Sequence, residues 1–275
     1  MSFTNTNVAK FRRDVLSHWK KHGRHTLPWR KTNNPYKVLV SEVMLQQTQV
    51  PRVVEKYKEF MTVFPTVRVL AKASLGNVLK VWSGMGYNRR AKFLRDAAKV
   101  IAEKYKGRVP HEYAELRTLP GVGDYTARAI RVFAFDEPDI LFETNIRAAF
   151  IRHFSMSQSL IGRAKSGIWD ADIIPVAQKT SKGQDPKKWH SALMDYGAYL
   201  KRSGVRNNAQ SALYAKQSKF EGSLRQVRGA IVRAITKGES TNDIRSRSSE
   251  LFDKALASLA RDGLIMKQKG KWQIA

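Results

Sequence analysis

The 275-residue chain contains no cysteine. Disulfides are thereby excluded, as are zinc and iron–sulfur centres held by thiolates. Acidic residues are scarce, 23 against 50 lysines and arginines, which leaves a formal net charge of +27. Such a balance suits a polyanionic partner and argues against acidic small molecules as the sole ligand, although charge alone does not separate DNA, RNA and a membrane surface. Long apolar runs are missing too: none approaches the ~18 residues of a spanning helix. The stretch around Asn5 and Asn7 lacks the apolar region of a signal peptide. A cytoplasmic protein with no membrane partner is the expectation.

What is present reads as helix. Val8, Phe11, Val15 and Trp19 fall at helical spacing up to Gly23, and Asn34-Pro35 opens a Val- and Leu-rich segment running to Gln47. Thr48 is expected to cap the next helix, Ser74 the segment 75–82, and a longer helix spans 91–105. Residues 155–185 look less regular, with Pro175, Gly183 and Pro186 breaking short helices, and 202–219 reads as a linker. Beyond Phe220, three short helical patterns precede an alternating stretch, 264–274, around a Lys-Gly turn. That arrangement resembles a winged helix by topology; the alternative is a small packing or protein-binding module.

The chain is organised around Leu119-Pro-Gly-Val-Gly-Asp-Tyr-Thr-Ala-Arg-Ala-Ile130, two helical patterns joined by a turn containing Pro120, Gly121 and Gly123. The turn leaves the amides of Gly121, Gly123 and Asp124 at a helix start, where unpaired N–H groups and the helix dipole favour an anion. In so basic a chain the fitting anion is a nucleic-acid phosphate. A plain helix–helix turn is the alternative.

This stretch resembles the helix-hairpin-helix of a DNA glycosylase superfamily that includes endonuclease III and the MutY-like adenine mismatch glycosylases. Leu27-Pro-Trp-Arg30, Ser41-Glu-Val-Met-Leu-Gln-Gln-Thr-Gln-Val50, Trp82-Ser-Gly-Met-Gly-Tyr87 and Glu143-Thr-Asn-Ile-Arg147 follow in MutY-like order. The resemblance covers roughly residues 8 to 200 and is most specific at 41–50. It implies a mainly α, two-lobed helix-hairpin-helix glycosylase fold with a small C-terminal winged-helix-like domain. The expected domains are a six-helix barrel at 28–133, a second helical domain from 1–27 and 134–218, and the winged-helix-like domain at 219–275. The MutY-like family usually carries a four-cysteine [4Fe–4S] loop after the segment matching Ala192–Ala198. Here 199–208 is basic and without thiols, so a clusterless branch and no cofactor are expected.

Base excision needs an extruded nucleotide, an acid for the departing base and a negative charge under the sugar cation. Glu42 sits among apolar residues, where burial would favour its protonated form; by resemblance it matches the glutamate that protonates adenine. Glu143 stands where the superfamily normally has Asp, a carboxylate that stabilises or attacks the sugar cation, and Asn145 matches the residue that holds it. The extra methylene is expected to be absorbed by the backbone, since misplacement by about 1 Å can cost ~100-fold in rate. Tyr125 occupies the position of the Schiff-base lysine of bifunctional relatives, which implies a monofunctional enzyme. Trp29, Arg30 and Leu45 match the adenine pocket, and Gln47 and Tyr87 the residues that intercalate into the duplex. Arg89, Arg90, Lys92 and Arg128 join Gly121, Gly123 and Asp124 as expected phosphate contacts. The carbonyls of Arg117, Leu119 and Val122 could hold a cation.

The implied function is a monofunctional glycosylase that removes adenine mispaired with guanine or 8-oxoguanine, monomeric and associated with the nucleoid through double-stranded DNA carrying a mismatch or oxidised base. Residues 219–275 are too few for the Nudix-like domain that reads oxidised guanine in typical members, so strict 8-oxoguanine selectivity is not expected. The alternatives are a thymine or uracil mismatch glycosylase and a weakly catalytic DNA-lesion binder.

Overall fold

The computed structural model describes residues 4–154, 167–205, 207–214 and 219–275. Its chain divides into two compact units, Met1–Pro35 with Asp124–Lys216, and Tyr36–Gly123 with Gln217–Ala275. Three domains were expected, with boundaries at 27/28 and 133/134.

The first unit holds α1 (Asn5–His22), a 3-10 turn at Pro28–Lys31, α8 (Asp124–Phe135), α9 (Thr144–His153), α10 (Asp170–Ser181) and α11 (Pro186–Arg202). Its core forms where the apolar stripe of α1 meets α9 and α11: the Phe11 ring lies 5.1 Å from Phe150, 5.1 Å from Phe154 and 6.0 Å from Trp189. Burying one such side chain contributes about 1.5–3 kcal/mol. Contrary to expectation, Pro175 lies inside α10; a single missing N–H in the second turn removes one ladder bond without ending a helix whose Ile173, Val176 and Ala177 are buried. Residues 155–166, also expected to be irregular, and the linker residues 206 and 215–218 lie outside the described residues.

The second unit holds α2 (Pro35–Leu45), α3 (Val50–Val63), α4 (Val67–Lys72), α5 (Leu75–Trp82), α6 (Arg89–Lys104) and α7 (Tyr113–Arg117), then α12 (Leu224–Lys237), α13 (Asn242–Arg247), α14 (Ser249–Arg261) and the hairpin β1 (Ile265–Gln268), β2 (Lys271–Ile274). Ser74 caps α5 as expected, its hydroxyl accepting from Asn77 N–H at 3.2 Å. Thr48 does not cap α3: Gln49 takes the cap position, and the Thr48 hydroxyl accepts instead from Arg90. The strands pair in antiparallel register, Ile265 opposite Ile274, around Lys269 and Gly270, both left-handed. The terminal segment falls in this second unit. It clusters with 36–123 because α12 packs on α5, and because Arg228 of α12 and Arg89 of α6 both reach Asp262, at 2.5 and 3.5 Å.

Candidate active site

Glu42 lies on α2, a helix buried on nearly every side from Tyr36 to Met44. It is 7% exposed and Ser41 beside it 1%, the latter satisfied by donating to the Val38 carbonyl at 2.8 Å. At this burial Glu42 does not lie on a solvated helix face. Leu45, at the helix end, is partly exposed.

Two loops follow from the ends of α2 and α5, and each carries a residue expected to intercalate. Gln47 has φ +54° and Tyr87 φ +46°, left-handed conformations that cost a non-glycine residue about 1–2 kcal/mol. Such strain persists only where the surroundings impose it. The imposing group is Arg90. Its Nη1 donates to the carbonyls of Val43 (2.8 Å), Met44 (2.9 Å) and Gln46 (2.5 Å). Its Nη2 donates to the Thr48 hydroxyl (3.0 Å) and to the carbonyls of Met85 (3.1 Å) and Gly86 (3.3 Å). The last carbonyls of α2, which have no helical partner, are thus satisfied by one guanidinium that also fastens the second loop. Burial lowers its pKa to about 10, so it stays charged at neutral pH.

This corrects the expectation that Arg90 contacts phosphate: it is buried, and both of its Nη nitrogens donate inside the protein. Lys92 is neutralised by Asp96 at 2.7 Å, and Arg128 by Asp124 at 3.1 Å and Asp139 at 3.8 Å. Arg89, 56% exposed in its side chain, keeps an open face beside Asp262.

In the other unit Glu143 is the N-cap of α9. Its Oε1 accepts from the Ile146 N–H at 2.9 Å and its Oε2 from the Asn145 side-chain amide at 3.1 Å. The longer side chain therefore folds back onto its own helix start and places both oxygens there. Burial raises its pKa, and that effect outweighs the opposing hydrogen bonds of Asn145 and Ile146 and the charge of Arg147. Arg147 is held by Asp170 at 2.6 and 2.7 Å.

Two further residues fix this corner. His190, 2% exposed, accepts from the Leu141 N–H through Nε2 at 3.3 Å and donates from Nδ1 to the Pro186 carbonyl at 2.9 Å. Those partners define the neutral tautomer, and burial lowers its pKa to about 4. Gly197 of α11 faces α9 so closely that a Cβ would overlap the Asn145 carbonyl oxygen and lie 2.5 Å from its carbon.

Trp29 is buried in the 3-10 turn. The turn is anchored by Asp195, 2% exposed, which accepts from Arg30 at 2.7 and 2.9 Å and from the Arg24 amide at 2.8 Å. Burial opposes ionisation of Asp195, but the hydrogen bonds and charges of Arg30 and Arg24 prevail and hold its pKa below the ordinary value. Arg30, expected to line the base pocket, is thus committed to Asp195, to the Ser191 carbonyl at 3.3 Å and to the Trp19 ring at 5.0 Å. The anchor was missed from sequence; its one signal is a lone carboxylate in the apolar run Ala192–Ala198.

Tyr125 is partly buried in the first turn of α8. Gly121 has φ +76°, and a Cβ on it would lie 2.7 Å from Phe93, so packing alone accounts for this glycine. Gly123 and Asp124 are exposed. Of the three carbonyls considered for a cation, that of Leu119 accepts from the Val122 N–H at 3.1 Å. Among the described residues there is no cluster of three His, Asp or Glu side chains for a metal. With no cysteine anywhere in the chain, the residues after α11 do not fit an iron–sulfur cluster. The backbone there closes on itself instead, Ile168 N–H donating to Gln210 at 2.8 Å and Ala212 N–H to Ile168 at 2.9 Å.

Helices joined by a Pro-Gly-x-Gly turn, a buried glutamate and a Glu-x-Asn helix start define a protein of the helix-hairpin-helix class. A family model described as HhH-GPD superfamily base excision DNA repair protein matches residues 40–166. The adenine DNA glycosylase of Mycolicibacterium smegmatis is 32% identical over 275 residues, 92% of this chain and 91% of that one. That of Mycobacterium tuberculosis H37Rv is 40% identical over 66% of this chain and 58% of its own length. That of Buchnera aphidicola subsp. Baizongia pistaciae is 36% identical over 69% and 52%, so the match spans little more than half of these last two. Among solved structures, a thermostable thymine-DNA glycosylase has a TM-score of 0.61 at 28% identity, over 70% of this chain and 87% of that one. An endonuclease III bound non-covalently to DNA has a TM-score of 0.54 at 19% identity, over 80% and 92%. The chain belongs to the HhH-GPD superfamily of base excision DNA repair proteins, in its MutY-like branch. Among the described residues no helix is long and apolar enough to cross a membrane.

Proposed function

We propose that the protein is a monofunctional DNA glycosylase that hydrolyses the N-glycosidic bond of adenine mispaired with guanine or 8-oxoguanine, acting as a monomer on an extruded base. The observation that carries this reading is Glu143, held by the Ile146 amide and by Asn145 at a helix start, in a chain that aligns with an adenine DNA glycosylase over nine-tenths of both lengths. Buried Glu42 gives its proton to the adenine ring as the bond to the sugar breaks. The Glu143 carboxylate stabilises the resulting sugar cation, and Asn145 keeps its oxygens aimed. Water then adds to the anomeric carbon and gives up a proton to the Glu42 carboxylate, which restores its acid form. Tyr125 has no amine to form an imine, so the abasic strand is left uncut. Gln47 and Tyr87 fill the stack that extrusion opens, while Trp29 and Leu45 contact the base. The hairpin amides of Gly121 and Gly123 bind phosphate, and the carbonyls of Arg117, Leu119 and Val122 take a cation.

Labelled duplexes carrying A:G, A:8-oxoguanine, T:G or U:G test this with the full chain in excess. The expected result is alkali-dependent cleavage at adenine only, reduced about 10²–10⁴-fold by Glu42→Gln with duplex affinity retained. No adenine release would overturn it. Release of thymine instead would favour the second reading, which the 28% identity to a thymine-DNA glycosylase supports.

A further inference from the structure

In the unit that contains Gln47 and Tyr87, α12 forms one wall of a groove of about 1300 Å³. The facing wall is built from the Gln46–Gln49 loop, Arg52, Lys80 and the loop that carries Tyr87. Among the described residues that line it are eight arginines and lysines and one carboxylate, Asp262, which is already engaged by Arg228 and Arg89. Arg52, Lys80 and Arg233 have no ion-pair partner among the described residues. The excess positive charge is therefore not consumed by the fold.

The geometry of α12 narrows what the groove can take. Val227, Ile231 and Ala234 are its buried residues, whereas Arg225, Gly229 and Arg233 line the groove at intervals of one turn. A glycine inside a helix destabilises it relative to alanine, so its presence needs a reason. Packing supplies none, because beyond its chain neighbours and own helix backbone no atom lies within 4 Å of where a Cβ on Gly229 would stand. An unneeded helix glycine with an arginine one turn before it and another one turn after it is the arrangement that lets a polyanionic backbone lie against the helix. The stripe also begins at the wedge: Arg225 Nη1 donates to the Tyr87 hydroxyl at 2.6 Å and its guanidinium lies 5.7 Å from the Tyr87 ring.

We propose that the Arg225–Gly229–Arg233 stripe of α12 is a binding site for the sugar–phosphate backbone of duplex DNA beside the Tyr87 wedge. The proposal rests on the DNA-repair reading above for its ligand, and it gives the C-terminal segment a share in gripping the duplex that the glycosylase chemistry does not itself require. Gly229 admits the strand, Arg233 and Lys237 neutralise its phosphates, and Arg225 ties the wedge to the grip.

The test uses the full chain with Gly229→Ala, Gly229→Leu and Arg233→Glu, read by thermal melting, by anisotropy with an A:G duplex over a salt series, and by adenine release at saturating enzyme. Gly229→Ala should melt at or above wild type. Gly229→Leu should fold and bind the duplex about tenfold or more weaker, a loss of about 1.4 kcal/mol per tenfold. Arg233→Glu should weaken binding and reduce the slope of log affinity against log salt by about one. Should Gly229→Leu fail to fold, the Ala variant's melting point and Arg233→Glu decide. Folded Leu and Glu variants that bind within twofold of wild type overturn the proposal and leave a protein partner as the reading of this surface. Weakened duplex binding in a protein that releases no adenine would overturn the glycosylase reading and uphold this one.

Discussion

Replacing Arg90 with methionine keeps the aliphatic stem and removes every donor from the network that joins residues 43–48 to 85–86. Six acceptors lose a partner, five of them carbonyls. A buried acceptor left unsatisfied costs about 1–3 kcal/mol, which would sum to about 6–18 kcal/mol if nothing compensated. Two effects reduce the total. The guanidinium no longer pays several kcal/mol of desolvation, and Gln46 and Thr48, only partly buried, regain water. A net loss of about 3–5 kcal/mol is expected, a large share of a domain's total stability. Arg90→Lys, with three donors on a point charge, should recover part of it. Urea unfolding of the intact chain measures the stability, and 2-aminopurine beside an A:G mispair reports whether Gln47 and Tyr87 enter the stack as proposed. The methionine variant should lose the fluorescence change even at concentrations where it is folded. A variant within about 1 kcal/mol of wild type, with the fluorescence change intact, would show that the loops hold their left-handed residues without the guanidinium.

Gly197→Ala drives a Cβ into the Asn145 carbonyl; overpacking of this kind costs about 1–3 kcal/mol, and base release should fall further than melting temperature alone explains, so an unchanged melting point contradicts the close crossing of α9 and α11. His190 is neutral when folded, with a pKa of about 4 against an ordinary 6.5. Its contribution is therefore full above pH ~6.5 and is lost as pH falls toward 4, about 3 kcal/mol in all. The stability advantage of wild type over His190→Gln should shrink across that window, and a constant advantage would exclude the assignment. Glu143 has a raised pKa, so folding favours its protonated form and its ionised form costs stability above that pKa. Under the proposed mechanism single-turnover base release should decline on the acid side at a pH above the ordinary glutamate range; a decline confined to that ordinary range would contradict it.

Local chemistry was the most readable part of the sequence. The apolar stripe of α1, the Ser74 cap and the Lys269-Gly270 turn each depend on residues within a few positions of one another, and all formed as expected. The buried setting of Glu42 was legible for the same reason, because apart from Ser41 the residues around it from Val38 to Leu45 are apolar. Long-range pairing was not. Arg89-Arg90-x-Lys92 reads as a run of surface charge, and nothing in it tells that Arg90 alone turns inward to meet carbonyls more than forty positions away. Arg30 and Asp195 are separated by 165 residues, so a pocket arginine and an anchoring arginine look alike. The same limit hides how the terminal helices meet the 36–123 segment: Arg228 and Arg89 both pair with Asp262, an unremarked acid in a basic tail.

One consequence of the helix start at Glu143 reaches beyond its chemistry. The carboxylate proposed as the anionic group also caps the first turn of α9, accepting from the Ile146 N–H, so one proton bears on both. Under the proposed mechanism acidification would neutralise the anion and weaken the two hydrogen bonds it accepts while relieving the cost of burying its charge, so an amide exchange rate at Ile146 should change over the same pH range as turnover.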